Sequence, residues 1–190
     1  MIMLKMDLLK MRLPFLGSLF LGSLFLGSLL AVSLAAAFAQ QASAQQGSAH
    51  LLNADELKKV VPAEFFYRGQ KAPTQVRNSG GFQLADGKMM LVALVDTSGY
   101  STAIQQKYQG LLITEAKVNI EGSKLAPGQY GFGFTAEGKF VVMDVANDDV
   151  LSAPFHTDQA LQRAVPLKVL EEGAAYRLYA GKKWVEIKPE

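Results

Sequence analysis

From Glu64 onward, apolar residues come in short runs rich in Val, Ile, Phe and Tyr, broken by Gly, Asp and Asn roughly every ten residues, the rhythm of strands and turns. The spacing predicts strands near 64–68, 73–77, 81–85, 89–95, 111–120, 129–135, 139–145, 149–153, 166–170, 175–180 and 183–188. Asp86-Gly87, Glu137-Gly138 and Gly181 each place a residue tolerant of positive φ between two apolar runs, which predicts hairpins joining Phe82 to Met89, Phe134 to Phe140 and Tyr179 to Trp184. Tyr130, Phe132 and Phe134 alternate with Gly131 and Gly133, so one face is aromatic and the other bare, open to close approach by a sheet, loop or ring. Met89 to Val95 is apolar throughout, which predicts a central strand covered on both faces. Helical segments are short. Asn53 followed by Glu56 makes a capping-box start for a helix through about Val60, stopped by Pro62, and Ser101–Gln109 and Asp158–Ala164 are the other two. The expected fold is one all-β domain over 53–190, an antiparallel sandwich or partly open barrel with one or two short helices.

Before residue 45 the pattern is of another kind. Lys5, Lys10 and Arg12 form a basic end, Leu13 to Ala39 is almost uncharged, and small residues with glutamine follow, the layout of a bacterial export signal. Both Ala37-Phe38-Ala39 and Ala42-Ser43-Ala44 are small-x-small cleavage sites. Cleavage is expected after Ala44, giving a signal peptide over 1–44 and a flexible leader over 45–52. Phe15-Leu16-Gly17-Ser18-Leu19 repeats from Phe20 and again from Phe25, lengthening the apolar run enough to span a bilayer. An uncleaved anchor is therefore the alternative, and the segment is the chain's only expected contact with a membrane. The protein is expected to be exported, periplasmic or secreted.

The chain has no cysteine, which excludes lipidation through cysteine, disulfides, thiol nucleophiles, zinc-thiolate sites, iron-sulfur clusters and covalent haem. Of its 19 basic and 17 acidic residues, Lys5, Lys10, Arg12 and Asp7 precede residue 45, leaving 16 of each sign beyond it. Basicity thus belongs to the expected signal peptide. With no Lys/Arg cluster in the near-neutral remainder, nucleic acid is not an expected partner.

Candidate chemistry is sparse. Val95-Asp96-Thr97-Ser98-Gly99 approaches an aspartic-protease motif, but Ser98 stands where the glycine of the tight turn belongs, so Asp96 is expected to bond local backbone groups. A hydrolase using Asp96 with Asp144 or Asp148 is the enzymatic alternative. Asp144, Asn147, Asp148 and Asp149 could offer oxygen to calcium in a stabilising or adhesive module, although the spacing is not that of an EF-hand. His156 with Ser152 and Asp158 makes only a nominal triad, and a loop histidine at a helix start is the preferred reading; His50 falls in the leader. No nucleotide-binding glycine pattern occurs, and no cofactor is expected. Arg68, Arg77 and Asn78 sit at the ends of strand-like runs, where a guanidinium could grip a carboxylate or phosphate; structural pairing with Asp96, Glu64 or a carbonyl is the alternative. With Asp96, Tyr100, Tyr108 and Tyr130, whose rings are flat and polar at one tip, they form the candidate binding set.

The strings Arg68-Gly69-Gln70, Arg77-Asn78-Ser79-Gly80-Gly81, Asp96-Thr97-Ser98-Gly99-Tyr100 and Pro127-Gly128-Gln129-Tyr130-Gly131-Phe132-Gly133-Phe134 together resemble a group of exported bacterial β-rich domains of unknown function. The resemblance covers most of the chain beyond the leader and implies no catalytic residues. The leading expectation is a non-catalytic binding or structural module of the cell envelope, its partner a small molecule or an envelope component.

Overall fold

The structure is a computed structural model and describes residues 48–190. The signal peptide expected over 1–44 and its cleavage sites lie outside the described residues. The first described element is β1 (His50–Leu51), inside the stretch expected as a flexible leader, where His50 pairs with Gln83 and Leu51 with Phe82. The first helix, α1 (Ala54–Val60), starts at a complete capping box: Asn53 Oδ1 accepts from the amides of Asp55 and Glu56, and Glu56 Oε2 accepts from that of Asn53. Lys58 and Lys59 complement the helix dipole at its last turn, and Pro62 follows.

The remaining elements are β2 (Glu64–Tyr67), β3 (Gln70–Gln83), β4 (Met89–Val95), α2 (Thr102–Gln105), β5 (Gly110–Thr114), β6 (Val118–Ile120), β7 (Ser123–Leu125), β8 (Gly128–Phe134), β9 (Lys139–Met143), β10 (Asp149–Pro154), β11 (His156–Thr157), β12 (Val165–Glu172), β13 (Ala175–Gly181) and β14 (Lys183–Pro189). They build two antiparallel sheets. One runs β1-β3-β4-β5-β8-β9-β10 with β2 attached to β3; the other runs β12-β13-β14-β6-β7 with β11 attached to β14. The sheets are hydrogen-bonded separately and pack face to face, so the domain is a β-sandwich. Among the described residues no helix is long and apolar enough to cross a membrane.

Alternation places the core. Phe82, Met90, Val92, Leu112, Phe132, Phe140 and Val142 of the first sheet meet Val118, Ile120, Leu178, Val185 and Ile187 of the second. The other face of the first sheet is buried as well: Leu91, Ala93, Val95, Leu111 and Val141 lie beneath Leu57 of α1 and Phe65 and Tyr67 of β2. That second layer is why Met89–Val95 needs no polar side. The three expected hairpins form, with Gly87, Gly138 and Gly181 at positive φ. The bare face of β8 is filled as its pattern requires: a Cβ on Gly131 would stand 2.7 Å from the Tyr67 ring and 3.0 Å from that of Tyr108, and one on Gly133 would collide with the Lys107 carbonyl.

Several expected boundaries differ. The strand expected over 111–120 is two strands in two sheets, because Glu115 turns the chain: its amide bonds the Met89 carbonyl, its carboxylate accepts from the Met89 amide, and Thr114 Oγ1 donates to the Ala116 carbonyl at 2.7 Å. The segments 73–77 and 81–85 are one long strand, β3, interrupted by a bulge. No helix forms over Asp158–Ala164. Asp158 Oδ1 does accept from the amides of Ala160 and Leu161, but too few residues remain before Pro166 to offset the cost of nucleation, and Oδ2 is held by the Tyr179 hydroxyl. The helix expected over Ser101–Gln109 shortens to α2, without a side-chain cap from Ser101, because the Gln109 amide already joins the Phe132 carbonyl. The short strands β1, β7 and β11 carry too few residues for alternation to be visible.

Candidate functional site

The irregularity of β3 is where the sheet departs furthest from what packing alone requires. Gln75 pairs with Leu94 and Ser79 with the next residue, Ala93, so Val76, Arg77 and Asn78 are extruded as a three-residue bulge. The bulge is pinned by its own flanks: Asn78 Nδ2 donates to Gln75 Oε1 at 2.8 Å, and Ser79 Oγ donates to the Val76 carbonyl at 2.6 Å. At its middle Arg77 is exposed, and among the described residues no carboxylate lies within ion-pair distance of its guanidinium. Glu64, a candidate structural partner for an arginine, is paired with Lys71 instead, at 3.0 Å.

Beside the bulge lies a cleft of about 290 Å³, with Ala54, Leu57 and Lys58 from α1 on one side and Val76, Arg77 and Ser79 on the other. Apolar groups dominate its walls and two cations stand on its rim. Gln75, the residue before the bulge, lines a different cleft of about 350 Å³, between the sheets, with Leu94, Gln109, Phe134 and Lys183. Its polar side chains are partly engaged. The Gln109 amide both donates to and accepts from the Phe134 backbone, and the Lys183 ammonium sits 4.9 Å from the Phe155 ring centroid.

The other sequence candidates scatter. Tyr100 and Tyr108 gather with Tyr67 under the β2–β3 hairpin. Tyr67 and Tyr108 stack at 3.9 Å between centroids, and Tyr100 meets Tyr108 edge-on at 5.4 Å. The Tyr100 hydroxyl donates toward the carbonyls of Tyr67 and Gln70, tying down the hairpin end. Tyr67 donates to Asn147 Oδ1 at 2.8 Å, while the buried Tyr108 hydroxyl has no partner among the described residues. Burial pushes the Tyr67 and Tyr108 phenols well above their usual range. Arg68, at positive φ in the hairpin turn, is exposed and bonds through its amide to the Val145 carbonyl. Tyr130 is on the opposite face of the first sheet, packed against the inter-sheet core with its hydroxyl on the Ala126 carbonyl.

Asp96 closes a local turn. Its Oδ1 accepts from the Ser98 amide at 3.0 Å, and this hydrogen bond lowers its pKa, so the exposed carboxylate stays ionised. Asp144 Oδ1 takes the amides of Ala146 and Asp148, and Asp149 pairs with Lys107 at 2.8 Å. Among the described residues no three His, Cys, Asp or Glu side chains are grouped to hold a metal ion. His156 faces Glu121 at 3.1 Å and stacks on Trp184, on strand β11 rather than at a helix start, while Asp158 bonds Tyr179, so the nominal triad is not assembled.

Two parts of the bulge, Arg77 and Asn78, were thus legible as candidates from the sequence, and Lys58, Leu57, Val76 and Ser79 were not. The signal available for Lys58 was its place on a well-capped helix; the docking of that helix on β3 is a long-range contact. Compared with family models, curated proteins and solved structures, the chain has no match, and the site rests on its own residues.

Proposed function

We propose that the protein is a non-catalytic binding module of the bacterial cell envelope, exported by its N-terminal signal sequence, and that the β3 bulge with α1 is its contact surface. One observation carries the reading: three residues are inserted within a ladder whose register closes without them, and the side chain they project is an exposed arginine that has no carboxylate within ion-pair distance among the described residues. A bulge that re-aims a side chain beside a cleft is a recognised device for building sites on sheets. The carboxylates Asp96 and Asp144 favour the non-catalytic form of the reading, since each accepts hydrogen bonds from amides of its own turn. Export is supported by the basic start, the uncharged run and the small-residue sites before residue 45.

Native mass spectrometry of protein recovered from the envelope fraction of cells expressing the full chain tests this. The expected result is a mass beginning at Gln45 with a retained partner or small molecule, and loss of that added mass in Arg77→Glu. An equal adduct in both proteins, or a bare chain in both, counts against the bulge as contact surface.

A further inference from the structure

We infer that the cleft between α1 and the β3 bulge takes a small organic anion bearing an apolar arm, of which a short-chain carboxylate is the simplest form. The inference rests on the reading of the bulge as contact surface and names the class of ligand for it. Ala54, Leu57 and Val76 supply apolar walls, and Leu57 is itself buried in the layer beneath the helix, so that wall is fixed by core packing. Lys58 and Arg77 reach the rim from different elements. The only ion pair of Lys58 among the described residues is with Asp55, one helical turn away, with side chains 66% and 83% exposed, an interaction that solvent screens and an incoming anion can replace. Among the same residues Arg77 has no ion pair. The remaining polar wall, Ser79, spends its hydroxyl proton on the Val76 carbonyl and does not compete for the ligand.

Charge and shape then select the occupant. A planar carboxylate is met by the guanidinium fork with the ammonium beside it, and its apolar arm covers Ala54, Leu57 and Val76, walls that inorganic phosphate would leave without a partner. The volume of about 290 Å³ is at the small end of ligand sites and suits a short arm. Because the bonds of Asn78 and Ser79 already hold the bulge, the ordering left to oppose binding is that of the Arg77 and Lys58 side chains and not of the backbone that carries them.

Isotope-labelled protein recovered from the envelope fraction of cells expressing the full chain is titrated with hexanoate, acetate, hexanol and inorganic phosphate, following backbone amide shifts by NMR. Hexanoate is expected to move the amides of Leu57, Val76 and Ser79 and to bind about tenfold tighter than either acetate or hexanol, the factor that a charge-assisted hydrogen bond or a few buried methylenes supply. Arg77→Ala and Lys58→Ala should each weaken hexanoate and leave hexanol unchanged, with far-ultraviolet spectra confirming that both exposed-site variants fold. Equal binding of hexanol, tighter binding of phosphate, or shifts located elsewhere overturns the ligand class. If the class is wrong but the bulge is the contact surface, the Arg77-dependent adduct of the envelope preparation persists; if that also is missing, the underlying reading falls with it.

Discussion

Tyr67 and Tyr108 show how much a single hydroxyl depends on what meets it. Their rings are stacked in one buried layer, yet Tyr67 donates to Asn147 Oδ1 and Tyr108 donates to nothing among the described residues. A buried hydroxyl without a partner bears its desolvation cost uncompensated, while removing one half of a satisfied pair exposes the other half to that cost. Tyr108→Phe should therefore raise stability by about 1 kcal/mol and Tyr67→Phe lower it by about 1 kcal/mol. Urea midpoints of the two variants decide the point, and a matching loss in both would mean that the Tyr108 hydroxyl has a partner after all. The sequence placed Tyr108 in a pocket lining because ring and polar tip suit pockets and cores alike. What separates the two is the neighbour across the sheet, here the bare backbone of Gly131, and that neighbour is remote in sequence.

At the scale of elements, the legible parts were those whose chemistry is local. The capping box of α1, the three glycine hairpins, the two-sided apolar run of β4 and the alternation of β8 each reveal themselves within a few residues. The join between β5 and β6 was not legible, since an apolar run does not say which sheet receives each half, and the bulge of β3 read as a gap between strands because its ladder is defined by Leu94 and Ala93 far along the chain. The tether between β1 and α1 also lies between elements. His50 Nδ1 meets the Ser48 carbonyl and Nε2 meets Glu56 Oε1 at 3.3 Å, and these contacts, the backbone one foremost, raise the His50 pKa above 6.5. A raised folded-state value means that the tether's stabilisation is fully present below the unfolded pKa and is lost as pH rises through the folded one. Glu56→Gln removes the charge but keeps an oxygen for the Asn53 amide, so the helix should persist while the His50 titration moves down toward its ordinary value. NMR titration of the two histidines measures this directly, and a His50 midpoint unmoved by the substitution would show that Glu56 does not take part.

For the molecule as a whole, the question is whether its least regular feature serves the fold or the site. The sandwich is stabilised by two apolar layers, one between the sheets and one under α1 and β2, and of the bulge residues only Val76 touches either, from a half-buried position. Gln75 faces the inter-sheet cleft with Leu94, and Ser79 faces the α1 cleft on the other side, so the two residues already alternate as consecutive members of a strand would. Deleting Val76, Arg77 and Asn78 together therefore leaves every remaining side chain on its present face, unlike a one-residue slip, which would turn the strand inside out. The shortened protein is expected to fold with a urea midpoint within about 1 kcal/mol of the parent's equivalent stability, since a continuous ladder replaces the extruded loop and loop closure costs little at this length. It should also lose the hexanoate response entirely, because one wall and one cation of the cleft go with the bulge. Chemical denaturation and the NMR titration on the same preparation read both outcomes. Failure to fold would make the bulge a structural necessity of the sandwich, and retained binding would place the anion elsewhere; a folded, unresponsive domain is what a site grafted onto a self-sufficient sheet requires.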